Sequence, residues 1–377
     1  MRLLFLLSSL HGGGAERVAA TLANAWVRRG IEVRLVCCYS GRGSNRQSLD
    51  DRVQIQWLVD QMPPGPGFMR PLAKLRALRR LVRGYEPDRV LSFLTNVNVT
   101  ALLATWGLDV PVVVSERSDP LYGRSAGPLL RALRRFTYPR AARVVVQTET
   151  GRQHLRQVVP AVRHCVVIAN PLPPGLPPPR HAEPPAERLL LAAVGRFNPV
   201  KQFDRLIEVF ATLAVAHPRW DLVIWGDGPQ RDACQARVRA LGLEARVQLP
   251  GYRQQIWAAL SQAHAFILCS RVEGFPNALL EAMALGLPCV ATDCPSGPAD
   301  LTREGRDADL VPWDDEAAWA RALDRLMRAS PQARTVRGLA GADAVRARYG
   351  LDAILARWDA QGLAWSDAHH GPEAGHG

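Results

Sequence analysis

Lysine is almost missing from this chain of 377 residues. Only Lys74 and Lys201 are lysines, whereas 45 residues are arginines. The chain therefore uses arginine wherever a general positive charge is sufficient. A lysine offers a compact point charge instead of a planar fork, so each of the two is a candidate functional cation.

Paired cysteines and long apolar segments are missing as well. The seven cysteines are an odd number without a C-x-x-C pair, which indicates neither a disulfide framework nor a zinc site and favours a reducing cytoplasm. No run approaches the ~20 apolar residues that cross a bilayer. The start, MRLLFLLSSL, is followed by HGGGAER instead of a small-residue cleavage site, so it predicts a buried strand and not a signal peptide.

Acidic residues are scarce in the first half of the chain. Residues 1–170 contain 25 Lys and Arg against 11 Asp and Glu, a net charge of +14, whereas residues 171–377 carry −2. This excess favours anionic partners: acidic lipid surfaces, pyrophosphate-linked molecules or nucleic acid. It is concentrated in a predicted amphipathic helix, PLAKLRALRRLVRGYEPD, and in RALRRFTYPRAAR at 131–143. Such segments bind anionic headgroups, and the alternative is a merely solvated face.

The length and one proline-rich segment predict two domains. A chain of 377 residues exceeds one ordinary core. Residues 171–188, PLPPGLPPPRHAEPPAER, have no apolar period and predict an extended, semi-rigid linker. We therefore expect a first domain at 1–170 and a second at 189–350, followed by a last helix at 351–366 and a disordered tail at 367–377.

A glycine-rich turn connects the first predicted strand to the first predicted helix. Gly13 and Gly14 follow the apolar residues 3–10, and a helical pattern and a second strand, IEVRLVCCY, come next. Ligands bind at such turns in doubly wound folds. A nicotinamide dinucleotide site would need a third glycine where Arg17 stands and an acidic end to the second strand, and both are missing. A turn needed only for packing remains the alternative.

The stretch at 270–293, SRVEGFPNALLEAMALGLPCVATD, combines a turn, an almost wholly apolar helix and a strand. Its pattern predicts a helix at 278–285 with Asn277 as the N-cap. Gly286 and Pro288 follow in the order that ends a helix.

Glu281 is a carboxylate among the apolar residues of this helix. Left unpaired in a core, it would cost several kcal/mol. Either the helix dipole stabilises it near the first turn, or it accepts hydrogen bonds from a ligand at the mouth of the helix. A helix N-terminus after a Gly/Pro turn also offers free N–H groups to a phosphate.

This stretch resembles the most specific motif of the retaining glycosyltransferases of family 4, which have the GT-B fold. The motif places two glutamates in the context EGFP/G…LLEAMA.G.P[VC]VATD, and Glu273 and Glu281 occupy those positions in a match of more than twenty residues. The resemblance implies two doubly wound, Rossmann-like α/β domains that face each other across a cleft. It also implies that no metal or other cofactor is needed.

The resemblance assigns roles to individual residues. Glu273 would be catalytic and contact the transferred sugar, and Glu281 would bind the nucleotide ribose. Arg196 and Lys201, in GRFNPVKQF, match two cations that hold the donor diphosphate, where charge develops on the leaving group. The remaining contacts fall on Phe275, Pro276, Asn277, Ala278, Gly251 and Tyr252 for the donor, and on Gly13 and Gly14 for the diphosphate or the acceptor.

Two segments depart from the family pattern. Many members have a histidine after a strand reading VVxTxHD, where this chain has SERSDP. That variant resembles members that build bacterial surface glycans, and it makes Arg117 and Asp119 candidate acceptor-site residues. Gln202 replaces the usual glycine after the diphosphate-binding lysine. An Asp-x-Asp motif binds a metal in another glycosyltransferase fold. The Asp-x-Asp of this chain, at 307 and 309, falls in a late loop and is predicted to be exposed.

The resemblance implies the transfer of a sugar. The expected donor is a UDP- or GDP-sugar, and the expected acceptor is a glycan joined to lipid through pyrophosphate, in bacterial polysaccharide, lipopolysaccharide or glycan assembly. We expect a cytoplasmic protein that is peripheral on the inner face of the plasma membrane through anionic lipid, and no nucleic acid partner. The alternatives are a non-catalytic nucleotide-sugar-binding protein and a nucleotide-sugar epimerase of the same fold.

Overall fold

Two parallel β-sheets, one in each half of the chain, form the framework of the protein. The computed structural model describes residues 1–11, 13–40, 48–63, 69–123 and 126–363. The first sheet has seven strands in the order β3-β2-β1-β4-β5-β6-β7. In chain order they are β1 Arg2–Leu7, β2 Glu32–Cys37, β3 Gln54–Trp57, β4 Arg89–Phe93, β5 Val112–Ser115, β6 Arg143–Val146 and β7 Cys165–Val167.

The second sheet has six strands in the order β10-β9-β8-β11-β12-β13. All strand pairs in both sheets are parallel. The order reverses between β1 and β4 and between β8 and β11, the switch points where doubly wound folds bind ligands. The predicted fold of two doubly wound α/β units is confirmed. Its second set of strands is β8 Leu189–Val194, β9 Trp220–Trp225, β10 Val247–Gly251, β11 Ala265–Leu268, β12 Cys289–Asp293 and β13 Asp309–Pro312.

Helices cover the faces of both sheets, which is why central strands such as β1 are apolar and buried from Leu3 onward. Those of the first half are α1 Gly14–Arg28, α2 Arg70–Tyr85, α3 Thr95–Ala104, α4 Pro128–Thr137 and α5 Glu149–Val158. Those of the second half are α6 Phe203–Ala214, α7 Arg231–Ala240, α8 Ile256–Leu260, α9 Asn277–Ala284, α10 Pro298–Thr302, α11 Glu316–Arg328, α12 Pro331–Tyr349 and α13 Leu351–Trp358.

The start of α9 differs from the sequence prediction. The helix begins at Asn277, so Pro276 occupies the N-cap position and no side chain caps the helix. The prediction of Asn277 as the N-cap was wrong because its carboxamide is committed elsewhere: its Oδ1 accepts a hydrogen bond from Asn170 Nδ2 at 2.7 Å. The predicted end is close to the observed one, since Gly286 adopts a left-handed φ of 79° just after the helix.

The proline-rich segment 171–188 lies between β7 and β8 and is fastened to the second half of the chain. Glu183 accepts hydrogen bonds of 2.6 and 2.8 Å from Arg334 of α12, and both side chains are buried. The amide of Leu172 donates to the carbonyl oxygen of Tyr349 at 2.7 Å. The segment is therefore held along its length by α12.

The last described helix returns to the first half of the chain. After α13, a π-helical turn spans Asp359–Leu363, and the predicted tail at 367–377 lies outside the described residues. Trp358 is 1% exposed and packs edge-on against Trp26 of α1, with ring centroids 6.0 Å apart. Arg29 Nη1 lies 2.9 Å from Asp359 Oδ2. Residues near the end of the chain thus complete the core built by residues near its start.

The seven cysteines are all free thiols. Six are buried, and burial raises the pKa of the Cys37 thiol and of the Cys234 thiol to about 11. Within the ranges that the structure describes, no helix combines the length and apolarity needed to cross a membrane.

We expect Trp358→Ala to destabilise the protein by about 3–5 kcal/mol, because it opens a cavity in the core that joins α13 to α1. Chemical denaturation followed by fluorescence measures the change. Val336→Ala is the matched control, since Val336 lies in the neighbouring α12 and is 68% exposed. Equal effects of the two substitutions would contradict the packing role of α13.

Candidate functional site

The loops at the carboxyl edges of the two sheets meet at the start of α9. Because the strands are parallel, the loops that follow them collect at one edge of each sheet. A Cβ placed on Gly14 would lie 2.7 Å from Asn277 Nδ2, and one placed on Gly274 would lie 2.6 Å from the carbonyl oxygen of Arg117. With the hydrogen bond from Asn170 to Asn277, three loops of the first half contact the segment that begins α9.

Glu273 and Lys201 form the central ion pair of the site. Lys201 Nζ lies 2.5 Å from Glu273 Oε1, which also accepts a hydrogen bond from Ser270 Oγ at 2.6 Å. Burial lowers the pKa of Lys201, but the charge of Glu273 and the hydrogen bond to it outweigh burial, so the net shift of this pKa is upward. Lys201 is therefore a fixed cation at neutral pH.

The backbone beside Lys201 explains why the family pattern has a glycine at the position of Gln202. Gln202 has φ 50° and ψ 36°, the left-handed region that glycine adopts at no steric cost. A glycine is therefore the easier residue at this turn, although the structure holds glutamine there. Cys269 Sγ donates to the carbonyl oxygen of Lys201 at 3.1 Å and ties the turn to β11. Arg196 follows β8, is exposed and has no ion pair within the described ranges.

Glu281 is 3% exposed, and protein groups occupy both of its carboxylate oxygens. Arg17 Nη2 forms an ion pair with Oε1, and Trp257 Nε1 donates to Oε2 at 2.8 Å. Burial raises the pKa of Glu281, and Arg17 and Trp257 partly offset that rise. The sequence identifies neither partner, because Arg17 figures there only as the residue that interrupts a dinucleotide fingerprint. The ion pair crosses from α1 to α9.

Four predicted donor contacts lie at the start of α9, and two of their side chains serve packing. Phe275 packs against Tyr349 with ring centroids 5.6 Å apart, and Pro276 is buried at the N-cap position. The side chain of Asn277 is bonded to the first half of the chain. A ligand could still bind the backbone N–H groups of this turn. The amide of Ala278 has no acceptor in the part of the chain that the structure describes, as expected in the first turn of a helix.

Gly251 and Tyr252 lie at the end of β10. Gly251 has φ 89°, and its carbonyl oxygen accepts the amide of Gly226 at 3.0 Å. A Cβ on Gly226 would lie 1.8 Å from the carbonyl oxygen of Gly195, so only glycine fits where this turn meets the residue before Arg196. The ring of Tyr252 is 54% exposed.

The segment SERSDP is divided between the interior of the first half and the cleft. Glu116 is buried and accepts hydrogen bonds from Tyr138 at 2.6 Å and Thr95 at 2.7 Å. Asp119 is buried as well, and its Oδ2 lies 2.7 Å from His154 Nδ1 of α5. Its other oxygen accepts two amides of its own loop. Of this segment, the backbone of Arg117 and Ser118 contacts the second half at Gly274.

The Asp-x-Asp at 307 and 309 was wrongly predicted to be exposed. Asp307 is 8% exposed and accepts hydrogen bonds from Arg303 and from Arg348 Nη2, the latter at 2.9 Å. Asp309 is paired with Arg337. The prediction failed because arginines from α12 and from the end of α10 neutralise both carboxylates. No cluster of His, Cys, Asp and Glu suited to a metal ion occurs among the described residues.

Further polar contacts between the halves flank the site, and the sequence identifies none of them. Thr148 Oγ1 lies 2.7 Å from Ser296 Oγ. Asp300 of α10 accepts hydrogen bonds from the Glu149 amide at 3.1 Å and from Thr150 Oγ1 at 3.3 Å. These residues lie at the ends of loops and are far apart in the sequence. The packing of the two sheets brings them together, so the sequence alone does not reveal the contacts.

Two family models match the chain, one in each half. The Glycosyl transferase 4-like domain matches residues 13–171, and Glycosyl transferases group 1 matches residues 179–337. The chain belongs to the GT-B glycosyltransferases of family 4, as the motif around Glu273 and Glu281 predicts.

Curated relatives and solved structures extend this similarity. The chain is 29% identical over 358 residues to an exopolysaccharide phosphotransferase of Streptomyces coelicolor, covering 87% of the chain but 37% of that protein. It is 27% identical over 331 residues to an undecaprenyl-diphosphate-glycan α-1,4-N-acetyl-D-galactosaminyltransferase of Campylobacter jejuni, covering 87% of the chain and 89% of the relative. HepE of Anabaena in complex with UDP-glucose has the same fold, with a TM-score of 0.78, 17% identity and coverage of 96% and 98%.

We expect Gly274→Ala to abolish the close contact between the halves, because the added Cβ would also lie 2.8 Å from Ser118 Cα, a backbone atom that cannot rotate away. Small-angle X-ray scattering should show a larger radius of gyration, with helix content unchanged by circular dichroism. Gly242→Ala is the control: the added Cβ meets nothing within 4 Å, although its φ of 65° adds local strain. An unchanged radius of gyration for Gly274→Ala would contradict the assigned contact.

Proposed function

We propose that the protein is a retaining glycosyltransferase that moves a sugar from a UDP- or GDP-sugar to a glycan linked to lipid through pyrophosphate. The observation that carries the proposal is the ion pair of Lys201 with Glu273 at the contact between the halves. This ion pair supports the proposal, because it would bring a cation for the leaving diphosphate next to a carboxylate for the transferred sugar. The Campylobacter jejuni relative, whose name specifies a lipid-diphosphate acceptor, supports this acceptor class.

The donor diphosphate would lie between Arg196, Lys201 and the first turn of α9. Arg196 is exposed, and the amide of Ala278 has no acceptor within the described ranges. When the diphosphate binds, Lys201 would exchange part of its interaction with Glu273 for the phosphate oxygens. Arginine, lysine and a helix N-terminus together stabilise the charge that develops on the leaving group. Because these groups supply the charge that a metal supplies elsewhere, we propose a metal-independent reaction.

The nucleoside would lie along the same face of α9, beyond the diphosphate. Glu281 would bind the ribose, with Gly251 and Tyr252 beside the base. Both oxygens of Glu281 hold protein donors in the present arrangement, so ribose binding would require Arg17 to release the carboxylate. This exchange would couple donor binding to a change in the contact between α1 and α9.

The chemical step would break the bond between the anomeric carbon and the diphosphate oxygen. The acceptor oxygen would form a bond to the same carbon, with overall retention, and its proton would pass to the departing diphosphate. Glu273 would act on the transferred sugar through Oε2, because two protein donors already engage Oε1. Gly13, Gly14 and Arg117 would face the acceptor, and Asp119 would position that side of the site by holding His154 and its own loop.

A basic surface of the first domain would hold the protein at an anionic membrane. We define this basic face as α2, α4 and the loop after α3. Arg76, Arg80 and Arg83 of α2 are exposed at spacings that share one helix face. On the neighbouring side, the rings of Trp106 and Phe136 are stacked at 5.4 Å and are 42% and 54% exposed. Aromatic rings beside arginines are typical of surfaces that contact the lipid headgroup region.

Incubation of the purified protein with UDP- and GDP-sugars and a bacterial lipid extract tests the reaction. We expect one donor to label the lipid fraction, also in EDTA, and we expect Lys201→Ala to lower the rate by about 10²–10³-fold because a charge on the leaving group loses its partner. Glu273→Gln should fail to transfer, whereas Glu244→Gln, at an exposed residue, is the control. Donor consumption without acceptor would favour an epimerase, and binding without turnover would favour a nucleotide-sugar-binding protein.

Flotation with lipid vesicles tests the basic face. We expect the protein to bind phosphatidylglycerol vesicles, and we expect this binding to weaken as salt is added. Substitution of Arg76, Arg80 and Arg83 by glutamate should lower the partition constant at least tenfold, because each charge near the surface contributes about 1 kcal/mol. Arg239→Glu is the control, because Arg239 is exposed on α7 of the second domain. Equal binding to neutral phosphatidylcholine vesicles would contradict the proposed attachment.

A further inference from the structure

Arg117 is a partly buried cation without a counter-charge among the described residues. Its Nη1 donates to Asn170 Oδ1 at 2.6 Å, whereas Nε and Nη2 are enclosed and have no hydrogen-bond partner. The guanidinium carbon lies 3.4 Å from the centroid of the Phe93 ring, and no carboxylate of the described residues pairs with it. Burial lowers the pKa of Arg117. Enclosing an unpaired charge costs several kcal/mol, so a group that neutralises Arg117 is expected from outside the chain.

Three other buried or partly buried arginines have more polar partners than Arg117. Arg334 is held by both oxygens of Glu183. Arg134 lies 3.7 Å from Glu116 and donates to a backbone carbonyl at 2.9 Å. Arg180 donates to two backbone carbonyls. Arg134 and Arg180 each leave Nε without a partner, whereas Arg117 leaves both Nε and Nη2. Among the described residues, Arg117 contacts a neutral carboxamide oxygen and an aromatic face.

The position of Arg117 connects it to the transfer site. It follows β5 at the carboxyl edge of the first sheet, and its carbonyl oxygen packs against Gly274, the residue next to Glu273. Its partner Asn170 bonds to Asn277, so the guanidinium is two hydrogen bonds from the start of α9. Separation of the two halves at Gly274 would uncover this side of the cleft.

We propose that Arg117 binds a phosphate group of the acceptor, so that the acceptor places its charged linkage directly beside Glu273. The proposal rests on the proposed function and narrows the acceptor to one whose phosphate lies next to the reacting sugar. The first domain supplies Arg117, whereas Arg196 and Lys201 of the second domain already serve the donor diphosphate. An arginine fork binds two phosphate oxygens at once, which the unpartnered Nε and Nη2 permit.

Arg117→Gln tests the proposal, because glutamine removes the charge and keeps a donor for Asn170. The accepting lipid glycan is compared with the same glycan freed from its diphosphate by mild acid. We expect the KM for the diphosphate-linked form to rise about 10- to 100-fold, the effect of losing a charge-assisted hydrogen bond. The KM for the free glycan and the Kd for UDP should stay within twofold, and Arg117→Lys should recover part of the loss.

Measurement of the Tm distinguishes phosphate binding by Arg117 from a purely structural role of this residue. Removal of an unpaired buried charge should leave the Tm of Arg117→Gln unchanged or higher, whereas Arg180→Gln, which loses two carbonyl contacts, should lower it. Equal KM increases for both acceptor forms, a weaker Kd for UDP, or a lower Tm without discrimination between the forms would each overturn the proposal.

A binding experiment tests the phosphate site at Arg117 even if the protein transfers no sugar. If the wild-type protein transfers no sugar, calorimetric titration of inorganic pyrophosphate into the double variant Arg196→Ala/Lys201→Ala decides the matter. Binding that disappears when Arg117→Gln is added supports a phosphate site at Arg117. Binding that is unchanged by Arg117→Gln, or absent from the double variant, overturns it.

Discussion

The contact of both halves of the chain with the start of α9 is the constraint on which the site depends. One apolar cluster runs from the first sheet through α1 to α9 and α13, so the halves share a core there. Around it, Asn170, Gly14 and Arg117 of the first half touch the EGFPN segment of the second. Residues of the second half, Lys201 and Ser270, hold the carboxylate of Glu273, and the first half packs against the next residue, Gly274.

The surroundings of the positive charges differ between the site and the rest of the chain. Many of the described arginines form surface ion pairs or donate to backbone carbonyl groups, where a screened or neutral partner suffices. The cations at the site differ: Lys201 is a point charge beside a carboxylate, and Arg117 is enclosed without one. The surroundings of Lys201 and Arg117 are therefore unusual among the cations of this chain.

The sequence predicted the parallel sheets and the end of α9, because periodic apolar runs and a long motif report local structure directly. The resemblance assigned Glu273 and Lys201 to the donor site, and the ion pair between them is seen only in the structure. The sequence did not predict Trp257 or Arg17 as partners of Glu281, since these contacts join residues that are far apart in the chain. Strand β3 was also missed, because its residues at an edge of the sheet are only partly buried and show no clear apolar pattern. The predicted exposure of Asp307 failed for a related reason, since its arginine partners come from other elements.

The packing of Trp358 on Trp26 has a consequence for the order in which the protein is made. The first sheet can form early in synthesis, but the core beside α1 lacks its last side chain until α13 has emerged. At ~5–20 residues per second, a ribosome needs on the order of tens of seconds to bridge that interval. During that time, the nascent first domain exposes the apolar surface around Trp26, so it is the stage of biogenesis at which a chaperone would have a surface to bind.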